Sequence, residues 1–260
     1  MARARWTAAA ILIGFFLSHA TLAIAVDDAK AKETPLTKAA AEGDLKTVKA
    51  LVARGADIKA TNKKGDPPLH VASDKGHLAV VRFLIEKGAP VDSKGYFGKT
   101  ALHLAAGNGH VDVAEFLIAK GAKLESKHNN GLTPLMSAAY EGQTKCIELL
   151  IAKKADVKAS CGAKSLVALH LTVMMGHKDA AVALIDKGKT PVDIKSRFGS
   201  TPLHFAAWCQ YIPDSIAEML IAKGADVNAR NEHGYTPLKF AKGRKKNALV
   251  KLLLKHGAKE

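Results

Sequence analysis

Thr201-Pro202-Leu203-His204 is a phrase that this 260-residue chain keeps rewriting: Thr34-Pro35-Leu36, Thr133-Pro134-Leu135 and Thr236-Pro237-Leu238 repeat its start. Its leucine recurs at Leu36, Leu69, Leu102, Leu135, Leu169, Leu203 and Leu238, in steps of 33, 33, 33, 34, 34 and 35 residues. Seven residues after the leucine stands Gly43, Gly76, Gly109, Gly142 or Gly176. A second phrase follows as Gly55-Ala56-Asp57, Gly88-Ala89, Gly121-Ala122, Gly224-Ala225-Asp226 and Gly257-Ala258. A fixed period of this length marks a stacked array of small units rather than one globule.

Each unit reads as two short helices. Thr before Pro supplies an N-cap hydroxyl, and Pro suits the first helical position, where a missing N–H costs nothing. Gly can take the left-handed conformation that closes the first helix. A second helix, such as that from Val111 to Lys120, carries Val113, Phe116 and Leu117 on one face and ends at Gly121 by the same device. The polar, turn-forming segment after it leads to the next Thr-Pro. Helices this short are marginal alone, so neighbouring units must bury each other's apolar faces.

The pattern resembles the ankyrin repeat over about 34–260. The resemblance implies an all-α ankyrin-repeat solenoid of about seven helix–turn–helix units, joined by hairpin-like fingers in a curved stack. It also implies a protein that binds other proteins and is not itself catalytic. The array divides at about 34–66, 67–99, 100–132, 133–166, 167–200, 201–235 and 236–260. Several positions depart from the pattern. Pro67 and Val167 replace the capping Thr, Ala101 replaces Pro, and Lys154 and Lys245 stand where Gly is expected. Repeat six has Gln210 for Gly and about two extra residues near Tyr211-Ile212-Pro213-Asp214, and another extra residue sits near Thr190-Pro191. Arg244-Lys245-Lys246 suits a polar terminal cap. Repeats two to four are expected to be the most regular, and five and six to hold what is particular to this protein.

Residues 1–25 read as a secretory signal peptide. Arg3 and Arg5 precede an uncharged run from Ala8 to Leu17, and Ala23-Ile24-Ala25 is a small-residue exit. Ser18, His19 and Thr21 interrupt the run well short of the roughly 20 residues of a membrane span. Cleavage after Ala25 leaves a short lead, 26–33, before the array, and places the protein in the periplasm or outside the cell. Arg3 and Arg5 leave with the peptide, so the formal charge falls from +15 to +13.

Composition narrows the chemistry. The 21 glycines and 9 prolines exclude collagen-like and low-complexity chains, and the basic balance excludes an acidic disordered one. Cys146, Cys161 and Cys209 are too few for a disulfide scaffold, lack zinc spacing, and read as buried or semi-exposed thiols, the odd count leaving at least one unpaired. The periodic histidines His70, His103, His170 and His204, with His77, His110 and His177, sit on stacked helices roughly 8–10 Å apart. That is too far to share an ion at about 2.1 Å per bond. The family resemblance gives them hydrogen-bonding roles that hold the fold. His128 and His233 are expected to be freer and isolated. No nucleotide-binding loop, catalytic triad or metalloprotease motif appears, so neither enzyme, cofactor nor metal is expected. Arg54, Lys87, Lys120, Lys153, Lys187 and Lys223, with His256, stand just before the glycine position that ends each second helix. There the helix dipole favours cations by about 0.3–1 kcal/mol each, so this stripe is expected to be structural and solvated.

In ankyrin proteins, partners meet the finger residues and the ends of the first helices. By that resemblance the binding set here is Tyr96 and Phe97; Asn129, Asn130, Tyr140 and Glu141; Lys164, Met174 and Met175; Arg197, Phe198 and Trp208; and His233 and Tyr235. Exposed aromatics, Met and Arg in one concavity suit a binding hot spot. The expected function is an exported, monomeric, non-enzymatic module that holds, protects or inhibits a protein partner, with an envelope enzyme as a candidate client. The alternatives are electrostatic attachment to an anionic envelope polymer or lipid, and a secreted effector that binds host proteins. Nucleic acid and stable membrane insertion are not expected.

Overall fold

The computed structural model describes residues 33–259. The expected signal peptide, and the lead as far as residue 32, lie outside the described residues. Among those described, fourteen α-helices form seven pairs. The first helices are α1 Pro35–Glu42, α3 Pro68–Lys75, α5 Ala101–Gly107, α7 Pro134–Glu141, α9 Ala168–Met175, α11 Pro202–Trp208 and α13 Pro237–Gly243. The second helices are α2 Leu45–Ala53, α4 Leu78–Glu86, α6 Val111–Ala119, α8 Thr144–Ala152, α10 Lys178–Asp186, α12 Asp214–Ala222 and α14 Asn247–Lys255.

Each first helix packs on its own partner and on the first helix of the next repeat. Small residues permit that approach: Ala39, Ala40, Ala72, Ala105, Ala106, Ala138, Ala139, Ala206 and Ala207 are all buried. The repeating leucines are sealed between repeats, with Leu69, Leu102, Leu135, Leu169, Leu203 and Leu238 at most 1% exposed.

Thr34, Thr133 and Thr236 cap their helices by accepting the N–H of the third helical residue. Where that residue is His, the ring takes over part of the cap. His103 Nδ1 accepts the Thr100 N–H (3.2 Å) and lies 2.8 Å from its hydroxyl, and His204 does the same for Thr201. Nδ1 is thereby the acceptor, so Nε2 carries the proton and donates to the next finger's carbonyl, Leu132 (3.0 Å) or Tyr235 (2.9 Å). The departures show what each partner does. Pro67 has neither N–H nor hydroxyl, and His70 Nδ1 is left buried without a partner. Val167 keeps its N–H, which still reaches His170 Nδ1 at 3.2 Å.

A second row of rings joins the repeats at the other end of the first helices. His77, His110 and His177, each the N-cap of its second helix, reach the carbonyls of Ala41, Asp74 and Tyr140 in the preceding repeat at 2.9–3.0 Å. The mid-repeat glycine and this histidine are one device. Gly43 has φ +73°, and a Cβ there would lie 2.6 Å from His77 Nδ1. The position therefore needs both a left-handed backbone and no side chain.

The fingers are hairpin-like turns, closed at Asn62–Asp66, Gly95–Lys99, His128–Leu132, Ser196–Ser200 and Asn231–Tyr235 by single backbone hydrogen bonds. The fourth closes as an antiparallel bridge between Cys161 and Leu166. Lys154 and Lys245 take the left-handed conformation where their sister repeats have Gly, with φ of 68° and 56°. The extra residue of repeat five lies slightly earlier than expected. Ala89, Ala122, Ala155, Ala225 and Ala258 each donate to a carbonyl five residues back, but Thr190 reaches six residues back to Leu184. The inserted residue is absorbed at Gly188-Lys189, where Lys189 has φ 52°.

Candidate functional site

The predicted binding residues fall in two rows. The fingers carry the first. Tyr96 is 54% exposed, Phe97 44%, Phe198 41% and Tyr235 38%, while Asn129, Asn130, Arg197 and His233 are exposed and Lys164 half-buried. Sideways backbone hydrogen bonds stiffen the tips: Asn129 N–H to Phe97 O (3.0 Å), Arg197 N–H to Lys164 O (2.8 Å), and Glu232 N–H to Phe198 O (3.1 Å). Phe97 is held at φ 59° as part of this arrangement.

The ends of the first helices carry the second row. Tyr140, Met174 and Trp208 occupy the same position in three consecutive repeats, five residues after the repeating leucine, and all three are half-buried. Glu141 is exposed and Met175 half-buried beside them. Desolvation raises both the Tyr140 hydroxyl and the Glu141 carboxyl above their ordinary pKa values, the latter opposed by Lys99. Arg244 lies over the Trp208 ring at 4.6 Å. The rows share one side of the array: Lys99, at the base of a finger, acts on Glu141. At the far end Arg230 and Gly234 of the last finger line one cleft with Lys239 and Lys242 of α13.

Charge on the fingers is sorted. The carboxylates of Asp66, Asp92, Glu125 and Asp193 accept backbone N–H groups of Tyr96, Lys123, Asp156 and Asp226, one repeat further on, at 2.7–3.0 Å. They act as staples between repeats. The finger cations Lys94 and Lys127 instead donate to the carbonyls of Lys127 and Ser160, and Arg197 to Ala163. These contacts position the cations without neutralising them.

Three expectations change. His128 is not free: it is 8% exposed, its ring lies 5.5 Å from that of His103, and its Nδ1 accepts the Asn130 N–H. Burial lowers the pKa of both rings to about 4. His233 is exposed but not isolated, with its ring 6.0 Å from Tyr235. Lys246 is not a solvated cap residue. It occupies the N-cap position that His77, His110 and His177 hold, its side chain is 8% exposed, and its ammonium donates to the carbonyls of Ala206, Cys209 and Ile212 at 3.0–3.3 Å. Asp214 completes the clamp at 3.2 Å. Lys246 thus holds the two-residue insertion of repeat six, whose Tyr211 projects into solvent at 76% exposure. Sequence reasoning noted the insertion but omitted Tyr211 from the binding set. An aromatic inside a lengthened connection was the available signal.

The basic stripe is structural. Arg54, Lys87, Lys120, Lys153, Lys187, Lys223 and His256 are the seven C-caps of the second helices. Lys87 and Lys120 lie over the Phe83 and Phe116 rings, and Lys153, Lys187 and Lys223 pair with Glu115, Glu148 and Asp186 of the preceding repeat at 2.7–3.5 Å. Such exposed pairs contribute at most about 1 kcal/mol each. The three cysteines are buried free thiols whose pKa burial raises to about 11. Among the described residues no group of three or more His, Cys, Asp or Glu is placed to hold a metal ion, and no helix is long and apolar enough to cross a membrane.

Comparison with known proteins agrees with this architecture. A family model described as "Ankyrin repeats (3 copies)" matches residues 9–95 and 87–161, and one described as "Ankyrin repeats (many copies)" matches 184–241. The chain belongs to the ankyrin-repeat family, whose members typically serve as protein-binding modules. The crystal structure of the human ASB11 ankyrin repeat domain is similar at 27% identity and a TM-score of 0.77, covering 88% of this chain and 100% of that one. A putative ankyrin repeat-containing protein of Treponema pallidum is 37% identical over 97 residues, which is 37% of this chain and 32% of that protein. The alpha-latrocrustotoxin-Lt1a of Latrodectus tredecimguttatus is 34% identical over 85 residues, which is 33% of this chain and 6% of the toxin. The chain thus matches only a minor part of either relative's length.

Proposed function

We propose that this protein is an exported, non-enzymatic binding module that grips a protein partner with its finger tips and first-helix ends. The observation that carries the reading is Tyr96 and Phe97 on one finger, with Phe198 and Tyr235 on two others, held in solvent on fingers that are each tied to a neighbouring finger through the backbone. Burying about 100 Å² of one such ring at about 25 cal/mol per Å² contributes on the order of 2.5 kcal/mol, the scale of an interface hot spot. A preformed surface also loses little entropy on binding. The client is a protein of the same compartment, an envelope enzyme held or inhibited by the array being the leading candidate. Export rests on the N-terminal sequence pattern, and N-terminal sequencing of the protein from its source should begin at Val26.

The test is affinity capture from an envelope extract, comparing the native chain with Tyr96→Ala/Phe97→Ala and with Tyr140→Ala/Trp208→Ala. Both double variants should lose the client while remaining folded; Tyr96→Ala/Phe97→Ala should melt close to the parent, and the half-buried Tyr140→Ala/Trp208→Ala pair somewhat lower. Retention of the same client at the same affinity by both would show that this face is not the binding surface.

A further inference from the structure

At two seams between repeats, the C-cap lysine of one second helix meets a glutamate that is the fifth residue of the second helix before it. Lys153 pairs with Glu115 of α6 at 3.5 Å, and Lys187 with Glu148 of α8 at 2.8 Å. In α2 and α4 that fifth position holds Lys49 and Arg82 instead. The cap lysines Lys87 and Lys120 therefore meet a cation where their sisters meet a carboxylate. A phenylalanine ring accompanies each like-charged pair. The ammonium groups of Lys49 and Lys87 sit 5.9 and 5.7 Å from the centre of the Phe83 ring. The Arg82 guanidinium and the Lys120 ammonium sit 4.5 and 5.6 Å from that of Phe116. These rings are the sixth residues of α4 and α6; in α8 and α10, whose cap lysines find glutamates, the position is Leu149 and Ala183. An aromatic face holds a cation in place without cancelling its charge. All four cations are exposed, and among the described residues none of them forms an ion pair, with the exposed Glu86 and Asp112 of the same helices included.

We infer that these two seams form a second interaction surface, on the second helices of repeats one to three, that takes an acidic, extended polypeptide segment. One carboxylate of the segment meets Lys49 and Lys87, and another meets Arg82 and Lys120. The cap lysines still serve their helices, as along the rest of the stripe; what is particular here is a second cation where a carboxylate would neutralise the first. Packed helices lie roughly 8–10 Å apart and an extended chain rises about 3.3 Å per residue, so acidic side chains about three residues apart reach successive seams. The Arg82 guanidinium matches a carboxylate with paired, charge-assisted hydrogen bonds, while the lysines add positive potential and speed encounter. A single-stranded nucleic acid fits less well, because it needs aromatic faces on which bases can stack, and these rings carry the protein's own cations. Glu115, paired with Lys153, also ends the row of cations after two seams. An anionic membrane fits less well too: Phe116 is buried and Phe83 half-buried, so neither ring is presented for insertion. The surface shares no residue with the fingers or first-helix ends and stands independently of the reading given to them.

The probe is a fluorescein-labelled serine-glycine peptide with glutamate at every third position, followed by anisotropy with the purified full chain. Its glutamine counterpart, oligothymidylate and phosphatidylglycerol vesicles serve as competing probes. Lys49→Glu/Arg82→Glu installs at the first two seams the glutamates that Lys153 and Lys187 find, so it should melt no lower than the parent. It should weaken the acidic peptide by about tenfold or more, the scale of a lost charged contact. Lys178→Glu/Lys251→Glu, the same charge change at exposed positions elsewhere on the second helices, should weaken it by less than about threefold because distant charges are screened. Lys49→Gln/Arg82→Gln, which introduces no new charge, should weaken it by about fivefold and decides the case if the reversal pair melts low. Tyr96→Ala/Phe97→Ala should bind the peptide as the parent does. The inference is overturned if the two reversal pairs weaken binding equally, if the glutamine substitutions leave it at the parental affinity, or if the glutamine peptide binds as well. It is also overturned if the finger variant loses the peptide, or if oligothymidylate or vesicles bind more tightly with the same dependence on Lys49 and Arg82.

Discussion

Replacing Lys246 by Met tests whether the last repeat is stitched to the array through one side chain. Methionine keeps most of the aliphatic stem but removes the ammonium that the carbonyls of Ala206, Cys209 and Ile212 and the carboxylate of Asp214 share. Removing one partner of a buried charged cluster costs about 3–5 kcal/mol. Asp214 is 30% exposed and can recover water, so the low end applies, at about 3 kcal/mol. For a chain of this size that corresponds to a fall in Tm of roughly 6–12 °C if unfolding is cooperative. Solenoids open locally, so hydrogen exchange is the sharper assay. Amides of α13, α14 and the 209–213 connection should exchange about a hundredfold faster, while those of α3 to α6 stay unchanged. Lys251→Met, on the exposed side of α14, controls for the loss of a positive charge. Should Lys246→Met melt and exchange like Lys251→Met, the clamp contributes nothing and Lys246 is an ordinary surface residue.

Acid should loosen the array before most carboxylates titrate. His103, His128 and His170 have their pKa lowered by burial to about 4 from an ordinary 6.5, so the unfolded chain binds more protons between those values and stability falls as pH drops through that window. The loss is about 1.4 kcal/mol per pH unit for each ring, so a melting temperature flat from pH 7 to about pH 5 would contradict the assignment. Gly43→Ala should destabilise by about 1–3 kcal/mol in denaturant titration, because the added Cβ meets the His77 ring and the backbone is left-handed. Lys154→Gly, at φ 68° on an exposed C-terminal turn, should instead stabilise by roughly 1 kcal/mol; a loss of stability would show that the lysine side chain contributes more than its backbone strain removes.

How much was legible depended on whether a signal repeats within one unit or arises between two. Helix starts at Thr-Pro, stops at Gly, buried leucines and basic C-caps are local devices, so seven copies of the same spacing display them without coordinates. Even the misfit residues could be read this way: Lys154 and Lys245 adopt glycine's conformation because the helix must still end there. Contacts between repeats were less visible. The histidine-to-carbonyl bonds span about a full period, and their role came from family resemblance rather than from spacing alone.

The amino-acid order by itself determined the stack: the number of units, their helical composition and the residues carried on the fingers, because these depend on propensity, capping and periodicity over a few turns. Only the tertiary structure decided that His128 is packed on His103, that Lys246 clamps the insertion of repeat six through carbonyls 34 to 40 residues upstream, that Tyr211 projects from it, and that Arg230, Lys239 and Lys242 line one cleft. Each of these depends on where side chains from different repeats meet after stacking. A lysine in a basic run looks the same in sequence whether its ammonium ends in water or against three carbonyls.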